Sequence, residues 1–399
     1  MNINGYIKHN SDEEFSTLPF NYVDGLIFSE LSYINFDLLL DKRKELKFKE
    51  IDAKELTKDI FAGSVDANKN KVMLNLMRKS KRYGEVVVKN VKRYFSNKET
   101  NQFLALTLVL EDGTMFISYR GTDTTIIGWK EDSLMIYRDI IMAQTQALNY
   151  AKRILRNNDN KFYLGGHSKG GNLAFYTALN LPQDKTPNLI EAFSYDGPGF
   201  KEGITKFPSY ISVHKRLTKF RTYNDVIGSV FNNMKKYKVV HSPGILFGGH
   251  DPFYWQVVAK DNDFKYAKDI SNASKKYSRR IMNWIESLTY EDRKLATDAL
   301  FDVFSNNDTI YDLFRNFLKN ILDIKKSLKK YSSEEKERLK AIIRRFFGFL
   351  IDSSNVKGIK RKQAIVDREL RKGKKSKSKV KELDCKSVEE STSDNKSNA

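Results

Sequence analysis

Cysteine is almost absent: Cys385 is the only one in 399 residues. No intrachain disulfide and no thiolate metal cluster can form from a single thiol, which suits a reducing compartment. Proline is scarce and one-sided, with all seven at or before Pro252, and 18 of the 21 glycines lie in the first 250 residues. Turns are therefore concentrated in the first part of the chain, and the stretch after Pro252 reads as helical. Long apolar runs are lacking too. None approaches the roughly 18 to 20 residues of a spanning helix, and Asp12, Glu13 and Glu14 stand where a signal peptide has its apolar centre. The expected location is cytoplasmic. Acidic residues are in deficit, 50 against 70 Lys and Arg, for a net charge of +20.

What is present fits a folded protein. Hydrophobic residues make up 40% and aromatics 12%, too much for a disordered chain and too little for a multi-spanning one. Half of the net charge lies in 357–381, where twelve Lys and Arg face only Asp367 and Glu369. Elsewhere the excess is thinly spread lysine, the pattern of a solvated basic surface.

Short β-rich runs alternate with helix-like segments over the first 260 residues. EVVVKNVKR (85–93), FLALTLVL (103–110) and MFISY (115–119) read as strands, the last two joined by a turn at EDGT (111–114). A helix is expected over 140–156, then a strand at 161–164, a helix over 170–181, and strands at 192–195, 219–223 and 237–240. Such alternation after an antiparallel hairpin predicts an α/β fold with a mostly parallel central sheet. Beyond it, Thr289 with Asp292 and Ser332 with Glu335 resemble capping boxes opening two helices of an appended helical region. In the second helix Leu339, Ile342, Ile343, Phe346, Phe347 and Leu350 share one face, opposite Lys336, Arg338, Lys340, Arg344 and Arg345. Ordinary packing explains that face; a membrane-surface helix is the sharper alternative. From 353 onward the composition is charged and serine-rich, and a disordered basic tail is expected.

The sharpest local feature is Gly166-His167-Ser168-Lys169-Gly170, which follows the run KFYL and precedes GNLAFYTALNL. Strand, sharp turn and helix are the setting of a nucleophile elbow, whose flanking glycines allow two backbone segments to approach closely. Ser168 would then lie at a helix N-terminus, where backbone N–H groups favour developing negative charge.

A serine nucleophile needs a base and an acid to orient that base. After Ser168 the histidines are His214, His241 and His250. His250 lies in a glycine-flanked loop after the run KVV and is the expected base; His241 ends that run and is the alternate. Asp225 and Asp196 both follow strand-like runs and compete for the acid role. Asp225 is preferred because it ends the last strand before the histidine loop, whereas Asp196 heads a Gly-Pro-Gly turn.

Taken together, SYRGTD (118–123), GWKED (128–132), GHSKGGNLA (166–174), Asn224-Asp225 and GHDPFYW (249–255) resemble the class 3 (fungal-type) lipase superfamily. The resemblance is strongest to a bacterial branch with GHSKGG, DGPG and HDxxxW motifs, and spans roughly residues 20–260. It implies an α/β-hydrolase fold with Ser168 as nucleophile, Asp225 as triad acid and His250 as triad histidine. Thr122 and Lys169 would supply the oxyanion-hole N–H groups. Trp129 would fall at the start of the mobile cover of such lipases, with a core aromatic as the equal alternative. Lys169 stands where those lipases have leucine, and the 127–132 segment is more charged than an interface-seeking cover, which points away from bulk triglyceride.

The domains expected are an α/β-hydrolase over 1–262, a helical extension over 263–352 and the basic tail over 353–399. The activity expected is cleavage of an ester or thioester through an acyl-enzyme on Ser168, with no cofactor and no metal required. The partner expected is a small acyl ester or lipid-like molecule. The other reading is an idle hydrolase scaffold whose basic helical C-terminus binds a membrane surface or a partner; docking of that C-terminus on an anionic membrane surface at the periphery is compatible with catalysis as well. No nucleic-acid-binding motif is present.

Overall fold

The computed structural model describes residues 1–41, 43–96, 98, 100–123, 126–201, 203–232, 234, 236–243, 246–304 and 328–351. Its strands are β1 (Glu45–Lys47), β2 (Val87–Ser96), β3 (Asn101–Val109), β4 (Met115–Tyr119), β5 (Phe162–His167), β6 (Leu189–Tyr195), β7 (Leu217–Thr222), β8 (Lys238–Val240), β9 (Val257–Val258), β10 (Asp263–Phe264) and β11 (Tyr266–Ala267). Nine of them form one sheet in the order β1-β2-β3-β4-β5-β6-β7-β8-β11. The five from β4 to β8 run parallel. Antiparallel strands extend this parallel centre on both sides, β1 to β3 at one edge and β11 at the other. The expected α/β class with a parallel core is what the chain adopts.

Among the described residues the helices are α1 (Ile3–His9), α2 (Tyr22–Glu30), α3 (Phe36–Leu40), α4 (Ala67–Met77), α5 (Lys81–Gly84), α6 (Ile126–Leu134), α7 (Met142–Leu155), α8 (Lys169–Leu179), α9 (Tyr210–Val213), α10 (Asn272–Ser287), α11 (Tyr290–Phe304) and α12 (Ser333–Ile351). Strand alternation decides which of them lies on which face. On β3, Leu104, Leu106 and Leu108 join a core with α1, α2 and α4, while Phe103 and Ala105 join a second core with α7 and α8. On β4, Phe116 faces the first core, and Met115, Ile117 and Tyr119 face the second. Each fully buried side chain of this size contributes about 1.5 to 3 kcal/mol. Apart from β1, the first 84 residues thus form much of the layer on one face of the sheet. It is locked by Asp24 of α2, which accepts from Arg82 Nε at 3.1 Å and from the Tyr83 hydroxyl at 2.6 Å in the core.

Beyond the sheet, the caps expected from the sequence form. Asp292 N–H donates to the Thr289 hydroxyl at 3.0 Å, and Ser332 and Glu335 bond reciprocally at 2.8 and 3.2 Å. Arg338 grips Asp292 with two nitrogens at 3.1 and 2.7 Å, and Leu339 and Ile342 are buried, whereas Ile343 is exposed. Ordinary packing accounts for this part of the apolar face. The chain divides into two units, 1–343 and 344–399, and of the second only the end of α12 is described. The expected basic tail (353–399) and the 305–327 part of the helical extension lie outside the described residues. Among the described residues no helix is long and apolar enough to cross a membrane.

Candidate active site

Ser168 connects β5 to α8 with φ +58° and ψ −131°, a left-handed-side conformation that a residue with a side chain rarely adopts. Such strain costs about 1 to 3 kcal/mol and persists only where neighbours enforce it. Here Ser168 N–H donates to the Tyr195 carbonyl at 2.9 Å, and Gly171 N–H returns to the Ser168 carbonyl at 2.9 Å. Two elbow glycines are sterically required. A Cβ on Gly166 would lie 2.3 Å from the Gly170 carbonyl carbon, and one on Gly170 would lie 2.1 Å from the Tyr119 oxygen.

Asp196, at the end of β6, receives His250. The imidazole Nδ1 lies 2.7 Å from Asp196 Oδ2, and Asp196 is fully buried. An ionised carboxylate only accepts, so Nδ1 carries the hydrogen, which leaves the Nε2 lone pair of a neutral ring free to act as a base. Burial alone would raise the Asp196 carboxyl. The His250 hydrogen bond and the surrounding positive groups, Arg221 among them, hold it below the ordinary carboxylate value instead. Thr222 supports the same carboxylate through its N–H at 3.4 Å.

This corrects the expected pairing of His250 with Asp225. Asp225 is also fully buried, but its carboxylate accepts from Arg221 Nε and from Ser229 N–H at 3.1 Å. Burial and the nearby Asp196 charge raise its carboxyl to about 6. The physical reason lies in strand order: β6 is next to β5, which leads into Ser168, and β7 is one strand further away. The two acids are close. A Cβ on Gly228 would lie 2.6 Å from Asp196 Oδ1 and 3.1 Å from Asp225 Oδ2. His241, the alternate base, ends β8 with its backbone bonded to Lys265 and Gln256, and its ring stacks on Tyr223 with centroids 5.7 Å apart.

Two further residues bear on the histidine. His167, inside the elbow, lies with its ring centroid 4.3 Å from that of His250, and its Nε2 is 2.8 Å from the His250 carbonyl oxygen. Burial first, and then the His250 charge, push its pKa down to about 3, so it stays neutral and donates from Nε2 to that carbonyl. The other is Lys69 of α4. Its ammonium pairs with Asp251 at 3.3 Å and with Asp66 at 3.1 Å, and sits 4.1 Å from the centre of the Tyr254 ring. It ties the N-terminal layer to the loop that carries His250.

The candidate oxyanion residues flank the elbow. Gly121 passes so close that a Cβ there would lie 2.5 Å from the His167 oxygen and 3.1 Å from Ser168 Cβ. Next to it, the half-buried Thr122 donates its hydroxyl to Asp132. Burial raises the Asp132 carboxyl to about 6, against the opposing pull of Lys169 and the Thr122 hydrogen bond. Lys169 opens α8, and its side chain turns inward to Glu131 of α6, with Nζ 2.7 Å from Oε2. Trp129, on the same helix, is half-buried.

Residues 77–302 match the family model described as Mbeg1-like. That is more than half of the chain, and the chain belongs to the Mbeg1-like family. No curated protein matches it. Among the solved structures that match, one is titled "Crystal structure of M37 lipase". It is 17% identical, with a TM-score of 0.34, covering 53% of this chain and 71% of that one.

Proposed function

We propose that this member of the Mbeg1-like family is a serine hydrolase of lipase-like type that cleaves an ester or thioester through an acyl-enzyme on Ser168. The observation that carries the reading is the 2.7 Å bond from His250 Nδ1 to the buried Asp196, beside a strained serine at the start of a helix. His250 Nε2 takes the Ser168 proton as Oγ attacks the carbonyl carbon, and returns it to the leaving alcohol or thiol. Water then resolves the acyl-enzyme by the same route. Asp196 fixes the imidazole tautomer and stabilises the imidazolium. The N–H groups of Thr122 and Lys169 receive the oxyanion.

General acid–base help is typically worth about 10² to 10⁴ in rate, and each oxyanion donor about 10² to 10³. Asp196 rather than Asp225 serves as the acid of this proposed triad, because it is the carboxylate bonded to His250. A soluble acyl ester or thioester fits this site better than bulk lipid, because α6 meets the elbow through charged side chains. The test is hydrolysis of chromogenic esters of graded acyl length, run beside Ser168→Ala. A turnover that depends on Ser168 and peaks at short chains supports the reading. Equal rates for the two proteins refute it.

A further inference from the structure

Lys169 is a costly residue for its position. Its ammonium is fully buried, as is Glu131, and a buried ion is unfavourable unless it is both paired and hydrogen-bonded. Both conditions are met. Nζ lies 2.7 Å from Glu131 Oε2, 3.2 Å from the Gln102 carbonyl oxygen and 3.7 Å from Asp132 Oδ1. Glu131 also accepts from Gln102 N–H at 3.2 Å and from Ala143 N–H at 3.3 Å. Burial works to lower the Lys169 pKa, but the two acids outweigh it and keep the side chain charged.

The position of the pair matters more than its strength. Lys169 is the first residue of α8 and, in the proposed function, an oxyanion donor through its backbone. Glu131 immediately precedes Asp132, which holds the hydroxyl of Thr122, the other donor residue. Adjacent acids on α6 thus grip the side chains of both oxyanion residues. The helix is seated closely as well. A Cβ on Gly128 would lie 2.6 Å from Gln102 Oε1 and 2.9 Å from Thr122 Cγ2.

We propose that the Lys169–Glu131 ion pair is a positioning element of the reaction centre. It clamps α6 to the start of α8, sets the spacing of the Thr122 and Lys169 N–H groups, and keeps α6 a fixed wall through turnover. The substrate class that follows is a monomeric, water-soluble acyl compound that needs no interface to open the site. This rests on the serine-hydrolase reading above.

The double variant Lys169→Met/Glu131→Leu removes both charges while keeping similar volume, so neither is left buried alone. Its melting temperature should fall by several degrees, because the buried N–H groups of Gln102 and Ala143 lose their acceptor, while the protein stays folded. Its kcat on a soluble ester should fall by about tenfold or more while KM changes by less than about threefold, because the donors are made but misplaced. Fluorophosphonate labelling of Ser168 should slow by the same factor. A folded double variant with undiminished kcat overturns the inference. A second measurement needs no variant: wild-type rate against substrate concentration should stay hyperbolic through the solubility limit, and a jump in rate there also overturns it. Failure of the wild type to label at all overturns the serine-hydrolase reading, and this inference with it. A labelled wild type with either contrary result overturns this inference alone.

Discussion

His250 donates from Nδ1 to Asp196 across 2.7 Å, while Asp225, one strand further on, is bonded to Arg221 and Ser229. The two buried acids therefore have different consequences when neutralised. Asp196→Asn should lower kcat by about 10⁴, because an amide does not hold the imidazole in the required tautomer. Asp225→Asn should leave the kcat of the folded protein within about tenfold but remove about 3 to 5 kcal/mol of stability, since it strands the Arg221 charge. Ester turnover and thermal denaturation of the two variants separate these effects. The reverse pattern would return the acid role to Asp225.

Gly228 separates the same two carboxylates. The methyl group of Gly228→Ala would enter within 2.6 Å of Asp196 Oδ1 and displace the acid from its histidine. A misplacement of about 1 Å near reacting groups costs about 10²-fold. The expected result is a kcat loss of that order with secondary structure intact, measured by turnover and circular dichroism.

Stability should carry a mark of His167. The folded ring, with its pKa pushed down to about 3, stays neutral, whereas the unfolded imidazole gains a proton near its ordinary value of about 6.5. Below about 6.5 the unfolded state binds more protons, so this contribution to stability is intact above that pH and is lost as pH falls towards about 3. Replacing the ring by a non-titrating amide, His167→Gln, should flatten the decline between about pH 6.5 and 4.5, as read by denaturant unfolding at several pH values. Parallel wild-type and variant curves would contradict the assignment.

The elbow was legible in the sequence because its glycines answer a local demand: Gly166 abuts Gly170, and Gly170 abuts Tyr119, with no room for a side chain at either. The parallel core was legible through its alternation of strand and helix. The acid was not. Asn224-Asp225 and Asp196-Gly197 give the same local signal, an aspartate closing a strand, and the choice between them depends on strand neighbours distant in sequence. The Gly-Pro-Gly turn that Asp196 heads pointed the other way, to a turn former, although in the fold Asp196 takes φ +52°, a backbone that aspartate tolerates better than most residues. The N-terminal layer left little trace for a different reason. Every residue of α2 from Val23 to Glu30 is buried, so no apolar stripe distinguishes one face from another. Glu131 and Lys169, 38 residues apart, meet only in the fold.

Lys69 joins the N-terminal layer to the histidine loop through Asp251 and the Tyr254 ring. The pairing is partly exposed and worth about 0 to 1 kcal/mol, with a similar contribution from the cation–π contact. Lys69→Ala should therefore lower stability only slightly. Its larger effect should be on kcat, by roughly threefold to tenfold, because the loop that fixes His250 loses its anchor. Comparison of kcat with the melting temperature tests this; a proportional loss of both would mean that Lys69 acts only on the fold.

The most direct test of Ser168 as nucleophile is labelling with a fluorophosphonate probe, read by intact-protein mass and peptide mapping. The wild type should gain one adduct, on Ser168, Asp196→Asn should label far more slowly, and Ser168→Ala should not label. A wild type that stays unmodified, or a Ser168→Ala variant that labels equally well, would contradict the assignment of Ser168, His250 and Asp196 as a catalytic triad.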